Sequence, residues 1–394
     1  MRILFVSVRY PSPPDKGDTV LLYHRAIALK SAGHTIDLLC TDRVQPSPSE
    51  LADLPFDRVW LRPTRYLRAV ACLLTGLLNR RPFQFLIHQN RNASKFIDRV
   101  WPDYDVIDMF TVRALAVLRR TSVPRAMVVV DMIDTLSLNM RRRYRYERNP
   151  LIRTVLAEEV RRLRRLEHSV TTSYPFSVLV SPSEASRFGD SVVAIPLGTD
   201  VSVSSGVPRK KGVVIFHGNM RYAPNELAVE WFVRNCWMYI RESLPKATFR
   251  IVGRSPSARV RALGRVPGVV VVGGVANLHD EVGSATVSVA PMQSGSGMQN
   301  KILEAMAVGT QVVATTLGSA NIAAESMRHM VVADAALDFA RAVADLLSDP
   351  SRQLAIGSEG RELVCSRYAW NHHATSILDL YQTVRDRSRQ NLEG

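Results

Sequence analysis

Short apolar runs alternate with helix-period stretches along almost the whole chain, and this alternation restricts the possible folds more than any other feature. It specifies parallel strands joined by crossover helices. In the first half, Ile3–Val8, Thr35–Cys40, Asp105–Asp108, Met127–Val130, Val178–Val180 and Val192–Ile195 read as strands. Val20–Ala32 reads as an amphipathic helix ending at Gly33, and the proline- and serine-rich Gln45–Pro55 as a loop. A second series has strands at Val213–Phe216, Thr248–Val252, Val269–Val272, Val287–Ala290 and Val312–Ala314, with helices at Glu226–Ile240, Lys301–Val308 and Leu337–Leu347. The small, polar stretch Thr199–Pro208 between the two series is the expected linker. The pattern predicts an α/β chain of two doubly wound, Rossmann-like domains, 1–204 and 205–370, followed by a helix within 371–394 that starts near Trp370.

A length of 394 residues, 46% of them hydrophobic, supports two sizeable cores. The four cysteines (Cys40, Cys72, Cys236 and Cys365) are far apart and follow no metal-ligand spacing, which points to a reducing, cytoplasmic compartment without disulfides. The longest apolar candidate, Ala69–Leu78, stops at Asn79-Arg80-Arg81-Pro82, short of the ~18 residues of a membrane span. Met1–Val8 runs into Arg9 and a proline cluster, too short for a signal-peptide core. The expectation is a soluble protein, or one resting on the inner membrane face.

The net charge of +15 is carried almost wholly by arginine, whose planar fork suits phosphates and other flat anions. Arg141–Arg165 holds ten arginines against three glutamates, with Ile152, Val155, Leu156, Val160, Leu163 and Leu166 at helical spacing. That pattern reads as a core-facing apolar stripe backed by a basic face, either simply solvated or drawn to an anionic leaflet. A second basic stretch, Arg62–Arg81, brackets Ala69-Val70-Ala71-Cys72-Leu73-Leu74. No helix-turn-helix, zinc-finger or aromatic strand pattern accompanies the charge, which argues against a nucleic-acid partner.

In open α/β sheets, ligands bind beyond the carboxyl ends of strands and at helix N-termini. The richest such junction follows Val287–Ala290 and runs from Pro291 through Gly295, Gly297, Met298, Gln299, Asn300 and Lys301 to Glu304 and Gly309. Its glycines let backbone approach an anion, the following helix offers amides, and Lys301 adds a charge. Glu304, one turn on, suits paired hydroxyls. A diphosphate with a ribose attached fits this set.

Here the chain resembles the family-4 retaining glycosyltransferases of the GT-B fold. Asn300-Lys301-Ile302-Leu303-Glu304-Ala305-Met306-Ala307 is similar to a bacterial branch associated with exopolysaccharide and exosortase gene clusters. The segments Pro13–Asp18, Ile195–Asp200, Phe216–Asn225 and Ile251–Pro256 resemble that branch in the same order. The resemblance implies a cleft between the two domains and a last helix, around Trp370–Arg385, that crosses back to the first. It implies that Glu304 holds the nucleotide ribose and that Gly297, Met298, Gln299 and Asn300 meet the donor phosphate and sugar. It places Val275 and Asn277 at the base, and Gly17 and Asp18 on the loop facing the diphosphate and acceptor. Asn219 and Arg254 fall on the donor side, and Lys301 and Arg221 are the cations expected to carry catalysis.

Three departures accompany the match, one being that the family's Arg…Lys pair after the first strand of the second domain is not present in its usual form, which leaves Arg221, Arg254 and Lys301 as the available cations. The first glutamate of the family's E-x7-E motif falls at Ser296, and the N-domain histidine is replaced around Asp108–Phe110, leaving Asp131 and Asp134 as the nearest carboxylates, with Asp134 the catalytic candidate. The implied reaction is retaining hexosyl transfer that needs no metal or other cofactor. A nucleotide sugar, UDP- or GDP-linked, would serve as donor, and a lipid-linked saccharide in surface-polysaccharide synthesis as acceptor. The alternatives are a small natural-product acceptor, hydrolytic epimerisation of a nucleotide sugar, or a catalytically silent scaffold that binds membrane or nucleic acid through its arginines. Plainer roles stand beside these: Arg254 as a loop cation, Asp131 and Asp134 as helix caps, Cys236 and Trp237 as core, and His24, His34, His217 and His279 with no ligand role. Asp103-Tyr104-Asp105 has the form of a D-x-D metal motif but reads better as a turn into a strand.

Overall fold

The computed structural model describes residues 1–12, 17–44, 46–64, 80–147, 149–202, 207–295 and 297–393. They form two compact units, Met1–Pro196 with His373–Gly394, and Leu197–His372. The boundary expected at residue 204 lies outside the described residues, as do Pro13–Lys16, Ser296 and the apolar centre of the Arg62–Arg81 stretch.

The first unit is built on a parallel sheet of β1 (Arg2–Ser7), β2 (Thr35–Cys40), β3 (Arg58–Leu61), β4 (Val106–Phe110), β5 (Val128–Ile133), β6 (Phe176–Leu179) and β7 (Val193–Ala194). The order is β3-β2-β1-β4-β5-β6-β7, so the winding reverses between β1 and β4. Every residue of β4 and β5 is buried, as expected of strands covered by helices on both faces. The second unit repeats the plan with β8 (Val213–His217), β9 (Thr248–Val252), β10 (Val269–Gly273), β11 (Val287–Ala290), β12 (Gln311–Ala314) and β13 (Val331–Val332). Its order is β10-β9-β8-β11-β12-β13, reversing between β8 and β11. Phe232, Trp237, Phe249 and Phe339 pack at its centre, with the Phe232 and Phe249 rings 4.6 Å apart.

Several local expectations are corrected. The Gln45–Pro55 loop contains a short helix, Pro48–Ala52, because Ser47 and Glu50 form a reciprocal capping box. Strand β3, which the sequence pattern does not mark, follows directly. The expected helix Glu226–Ile240 divides at Cys236 into Ala223–Asn235 and Trp237–Ser243. The turn sends Trp237 into the core, where its indole N–H reaches the Pro267 carbonyl at 3.0 Å. Asp103–Asp105, by contrast, is the expected turn into β4: Tyr104 donates to Asp37 and Asp105 accepts the Arg2 amide.

The arginine-rich stretch forms two helices, Leu136–Tyr146 and Pro150–Ser173, and its expected apolar stripe is only half right. Ile152 and Val155 face solvent, while Leu156, Leu163 and Val170 share the buried face with Glu159, Arg162 and Glu167. Those glutamates satisfy helix N-termini that no local side chain caps. Glu159 accepts the Phe83 and Gln84 amides of the helix Phe83–Ile87, and Glu167 accepts the Ser137 amide and hydroxyl. Arg162 lies over the Phe83 ring instead of on the basic face.

The last helix, Trp370–Glu393, joins the first unit through a buried charge cluster. Arg25, from the helix Gly17–Ser31, is fully buried and pairs with Asp131 at 2.6 Å and Asp108 at 3.3 Å. Its Nε donates to His373 Nε2 at 3.0 Å, and Tyr381 donates its hydroxyl to Asp108. Because His373 Nε2 accepts, the proton sits on Nδ1, which donates to the Pro196 carbonyl at 2.7 Å. Burial and the neighbouring Arg25 charge push the His373 pKa down to about 3.

His373 should therefore make the fold sensitive to acid. Below the ordinary histidine range the unfolded chain gains a proton that the folded chain refuses, so stability is present above about pH 6.5 and falls toward pH 3. Between pH 7 and pH 5 this residue should remove about 2 kcal/mol. His373→Gln, whose amide can both accept from Arg25 and donate to Pro196, should lose less over that interval in chemical denaturation. An identical loss in both proteins would assign the acid sensitivity elsewhere.

Candidate functional site

The carboxyl edge of the second sheet brings together most of the residues expected there. At the reversal between β8 and β11, β8 ends in His217-Gly218-Asn219, and the loop after β11 leads into the helix Asn300–Ala307. Gly218 and Gly253 let the ends of β8 and β9 close up: a Cβ on Gly253 would collide with the Gly218 carbonyl oxygen. This approach fixes the turn that carries Asn219 and Arg254, and Met220 donates its amide to the Arg254 carbonyl.

Glu304 projects from the helix to His217, with Oε2 2.9 Å from Nε2. His217 is buried and Glu304 is 31% exposed, so the pair has a dry anchor and an open carboxylate oxygen. Burial alone would raise the Glu304 pKa, but the His217 hydrogen bond and the charges of His217, Lys301 and His279 hold it below the usual range. His217 Nδ1 is buried with no partner among the described residues. This histidine received no role from the sequence; its place as the last residue of β8, just before Gly218, was the available signal.

Lys301 is also buried, with Nζ 2.8 Å from Gln299 Oε1, 3.7 Å from Met292 Sδ and 5.3 Å from the Phe216 ring centre. Burial lowers its pKa to about 8, only partly opposed by Glu304. An ammonium with one neutral oxygen, a sulfur and a ring as neighbours gains from an anion. Gly297 has φ +69° and Gly295 φ +129°, conformations that favour glycine, and the helix starts at Asn300 with no side-chain cap on its amides among the described residues. Met298 and Gln299 are buried beside it.

The remaining second-unit candidates lie further out. Arg221 and Arg254 are exposed, and Asn219 Oδ1 accepts the Arg221 amide at 2.9 Å. Ser255, after Arg254, has φ +54°, a strained value for a non-glycine residue. Val275 is half-buried beyond β10. Asn277 caps the helix Leu278–Gly283 through the Asp280 amide and also donates to the Asp280 carboxylate, so its side chain is already engaged.

Gly17, Asp18 and Asp134 belong to the first unit, at the carboxyl edge of its sheet. Gly17 and Asp18 open the helix Gly17–Ser31, and Asp18 pairs with Arg9 at 2.5 Å. Arg9, Asp18 and Thr111 help line a small recess at the reversal between β1 and β4. Thr111 (φ +79°) and Ile133 (φ +62°) are strained non-glycine residues at the ends of β4 and β5. Asp134 follows Ile133, and burial, with Glu184 and Asp18 nearby, pushes its pKa up to about 7. Asp131 is taken up by Arg25 and its own loop. Neither aspartate caps the next helix, whose first amides go to Glu184 and Glu167.

Residues 211–349 match the family described as Glycosyl transferases group 1. Alpha-maltose-1-phosphate synthase of Mycolicibacterium smegmatis is 33% identical over 116 residues, 27% of this chain and 30% of that enzyme. The shared stretch is thus under a third of the length of that curated relative. Among solved structures, sucrose-phosphate synthase from Thermosynechococcus elongatus matches with a TM-score of 0.70 at 17% identity, covering 97% of this chain and 98% of that one. Anabaena HepE in complex with UDP gives 0.67 at 14% identity over 97% and 100% of the two chains. Staphylococcus aureus TarM with fondaparinux, α-GlcNAc-glycerol and UDP gives 0.70 at 10%, covering 97% and 100%. The chain has the GT-B fold.

Proposed function

We propose that this chain is a glycosyltransferase that takes a nucleotide sugar at the carboxyl edge of its second sheet. The observation that carries the reading is Glu304, an open carboxylate anchored by buried His217, one turn from buried Lys301 along a helix that no side chain caps among the described residues. The carboxylate suits the paired hydroxyls of a ribose, and the helix amides with Lys301 suit a diphosphate. The match of residues 211–349 to group 1 glycosyl transferases and the UDP complexes of two structural neighbours support that donor class.

In this reading the protein works electrostatically. As the sugar–phosphate bond breaks, charge grows on the leaving diphosphate. Lys301, Arg221 and the amides of Gly297 to Asn300 stabilise it. A bound diphosphate restores the full charge of Lys301. Transfer proceeds with retention and without a metal, and the acceptor hydroxyl attacks on the face the diphosphate leaves. Gly17, Asp18 and Asp134 serve the acceptor side. Asp134, held near neutrality in its pKa, exchanges a proton with that hydroxyl or orients it.

The acceptor is a lipid-linked saccharide, and the exposed surface of the first unit supports this. Leu151, Ile152 and Val155 are exposed to 77%, 42% and 55%, among exposed Arg141, Arg143, Arg145 and Arg153. Apolar side chains ringed by arginines suit an anionic bilayer surface. No helix of the described residues is long and apolar enough to cross a membrane.

Glu304→Ala should weaken nucleotide binding by about 2–4 kcal/mol in calorimetry, in a protein that still folds. Unchanged affinity would remove Glu304 from the site. The full chain should sediment with phosphatidylglycerol vesicles at low salt and release at high salt, and Leu151→Asp with Val155→Asp should reduce the pelleted fraction. Indifference to lipid charge would favour a soluble acceptor.

A further inference from the structure

The carboxyl edge of the first sheet holds a group of charged residues that the donor site does not use. Arg9 follows β1, Arg43 follows β2, and Arg113 follows β4. Between them stands His88, at the end of the helix Phe83–Ile87. The carboxylates facing this group are Asp18, Asp42 and Glu159. Each is already engaged: Asp18 with Arg9, Asp42 with the Tyr10 and Arg43 amides, and Glu159 with the Phe83 and Gln84 amides.

Arg113 is different. Its Nε and Nη2 both donate to Gln84 Oε1, at 3.0 and 2.7 Å, a neutral oxygen. It makes no ion pair among the described residues, although it is half-buried. Burial lowers its pKa, and the charge of Arg9 lowers it further. His88 reports the same positive potential: burial first, then Arg113 and Arg9, push its pKa down to about 4. The ring is therefore neutral, and its nitrogens have no hydrogen-bond partner among the described residues. The strained Thr111, two residues before Arg113, lines the adjoining recess together with Arg9 and Asp18.

We propose that Arg113, Arg9 and His88 form an anion-binding subsite that takes a phosphate or diphosphate group of the acceptor. Arg113 supplies a charge that no carboxylate pairs with directly among the described residues, although Asp18 and Glu159 lie within electrostatic reach, and Gln84 orients it with its remaining N–H groups unengaged by those residues. His88 adds a neutral donor that costs no charge repulsion. Asp134 lies within electrostatic reach of Asp18, as Arg113 does, so the acceptor's hydroxyl and its anion would bind along the same strand ends. The assignment of this edge to an acceptor rests on the glycosyltransferase reading; the anion site itself does not. The same chemistry would serve a prenyl-type lipid diphosphate or a soluble phosphate ester.

Calorimetric titration of the full chain with inorganic pyrophosphate in excess UDP tests this, with farnesyl diphosphate as a second probe. The informative variant is Gln84→Glu, which keeps both hydrogen bonds from Arg113 but neutralises its charge; Arg113→Met is the complementary deletion. Both should weaken pyrophosphate binding about tenfold or more while leaving UDP affinity unchanged. Tighter binding of farnesyl diphosphate than of pyrophosphate, with the same dependence on Arg113, assigns the anion to a lipid-linked acceptor. Equal binding of the two assigns it to a soluble phosphate ester. Pyrophosphate affinity equal in wild type and Gln84→Glu overturns the subsite. Absence of UDP binding to the wild type, with Arg113-dependent pyrophosphate binding intact, overturns the nucleotide-sugar reading and leaves the subsite standing.

Discussion

A guanidinium sealed from water, Arg25, ties the first unit together. Its helix carries Gly17 and Asp18, its carboxylate partners Asp108 and Asp131 come from neighbouring strands, and His373 and Tyr381 come from the last helix. Burial alone would lower the pKa of Arg25, yet Asp131, Tyr381 and Asp108 together hold it charged. A buried cluster of this kind is weak evidence for net stability, because apolar side chains of the same volume often do as well. Its worth is in specification, since removing Arg25 would leave two buried carboxylates without their cation, at about 3–5 kcal/mol. The cluster thereby fixes β4 and β5 against the helix Gly17–Ser31, and with them the strained ends at Thr111 and Ile133. It also ties His373 to Pro196, the residues at which the chain enters and leaves this unit.

The second unit relies on close backbone approach instead of charge. Gly218 and Gly253 bring two strand ends into contact, and His217, Lys301 and Glu304 gather beside them. Among the described residues no carboxylate pairs directly with the Lys301 ammonium, no side chain caps the helix amides, and His217 Nδ1 has no hydrogen-bond partner. The two sheets share one winding plan, yet the first offers arginines and a raised carboxyl at its edge, and the second offers a lysine and a lowered one. That difference supports different ligands for the two units.

The fold was legible because parallel strands, covered on both faces, are written as apolar runs, and runs such as Thr35–Cys40 and Thr248–Val252 fell where the strands are. The helix-start motif around Asn300–Glu304 was legible because local chain chemistry specifies it. What escaped depends on tertiary partners. His217 becomes significant only when β8 and the helix after β11 lie side by side. Helical period places Ile152 and Val155 in the core because it cannot tell that glutamates take the buried face to cap other helices. Asn277 looked free for a ligand until Asp280 engaged it. Arg25 and Tyr381 are 356 positions apart in sequence order by number, and no local pattern joins them to Asp108.

The central claim, that the second unit holds a nucleotide sugar, is tested most directly by the melting temperature of the full chain against UDP-, GDP-, dTDP- and CMP-sugars. A ligand that binds only the folded state stabilises it by mass action. The account requires a rise of roughly several degrees at saturation with the sugars of one base and little change with the others. No shift with any nucleotide sugar would contradict it, and would leave the GT-B fold as a scaffold whose arginines carry its function.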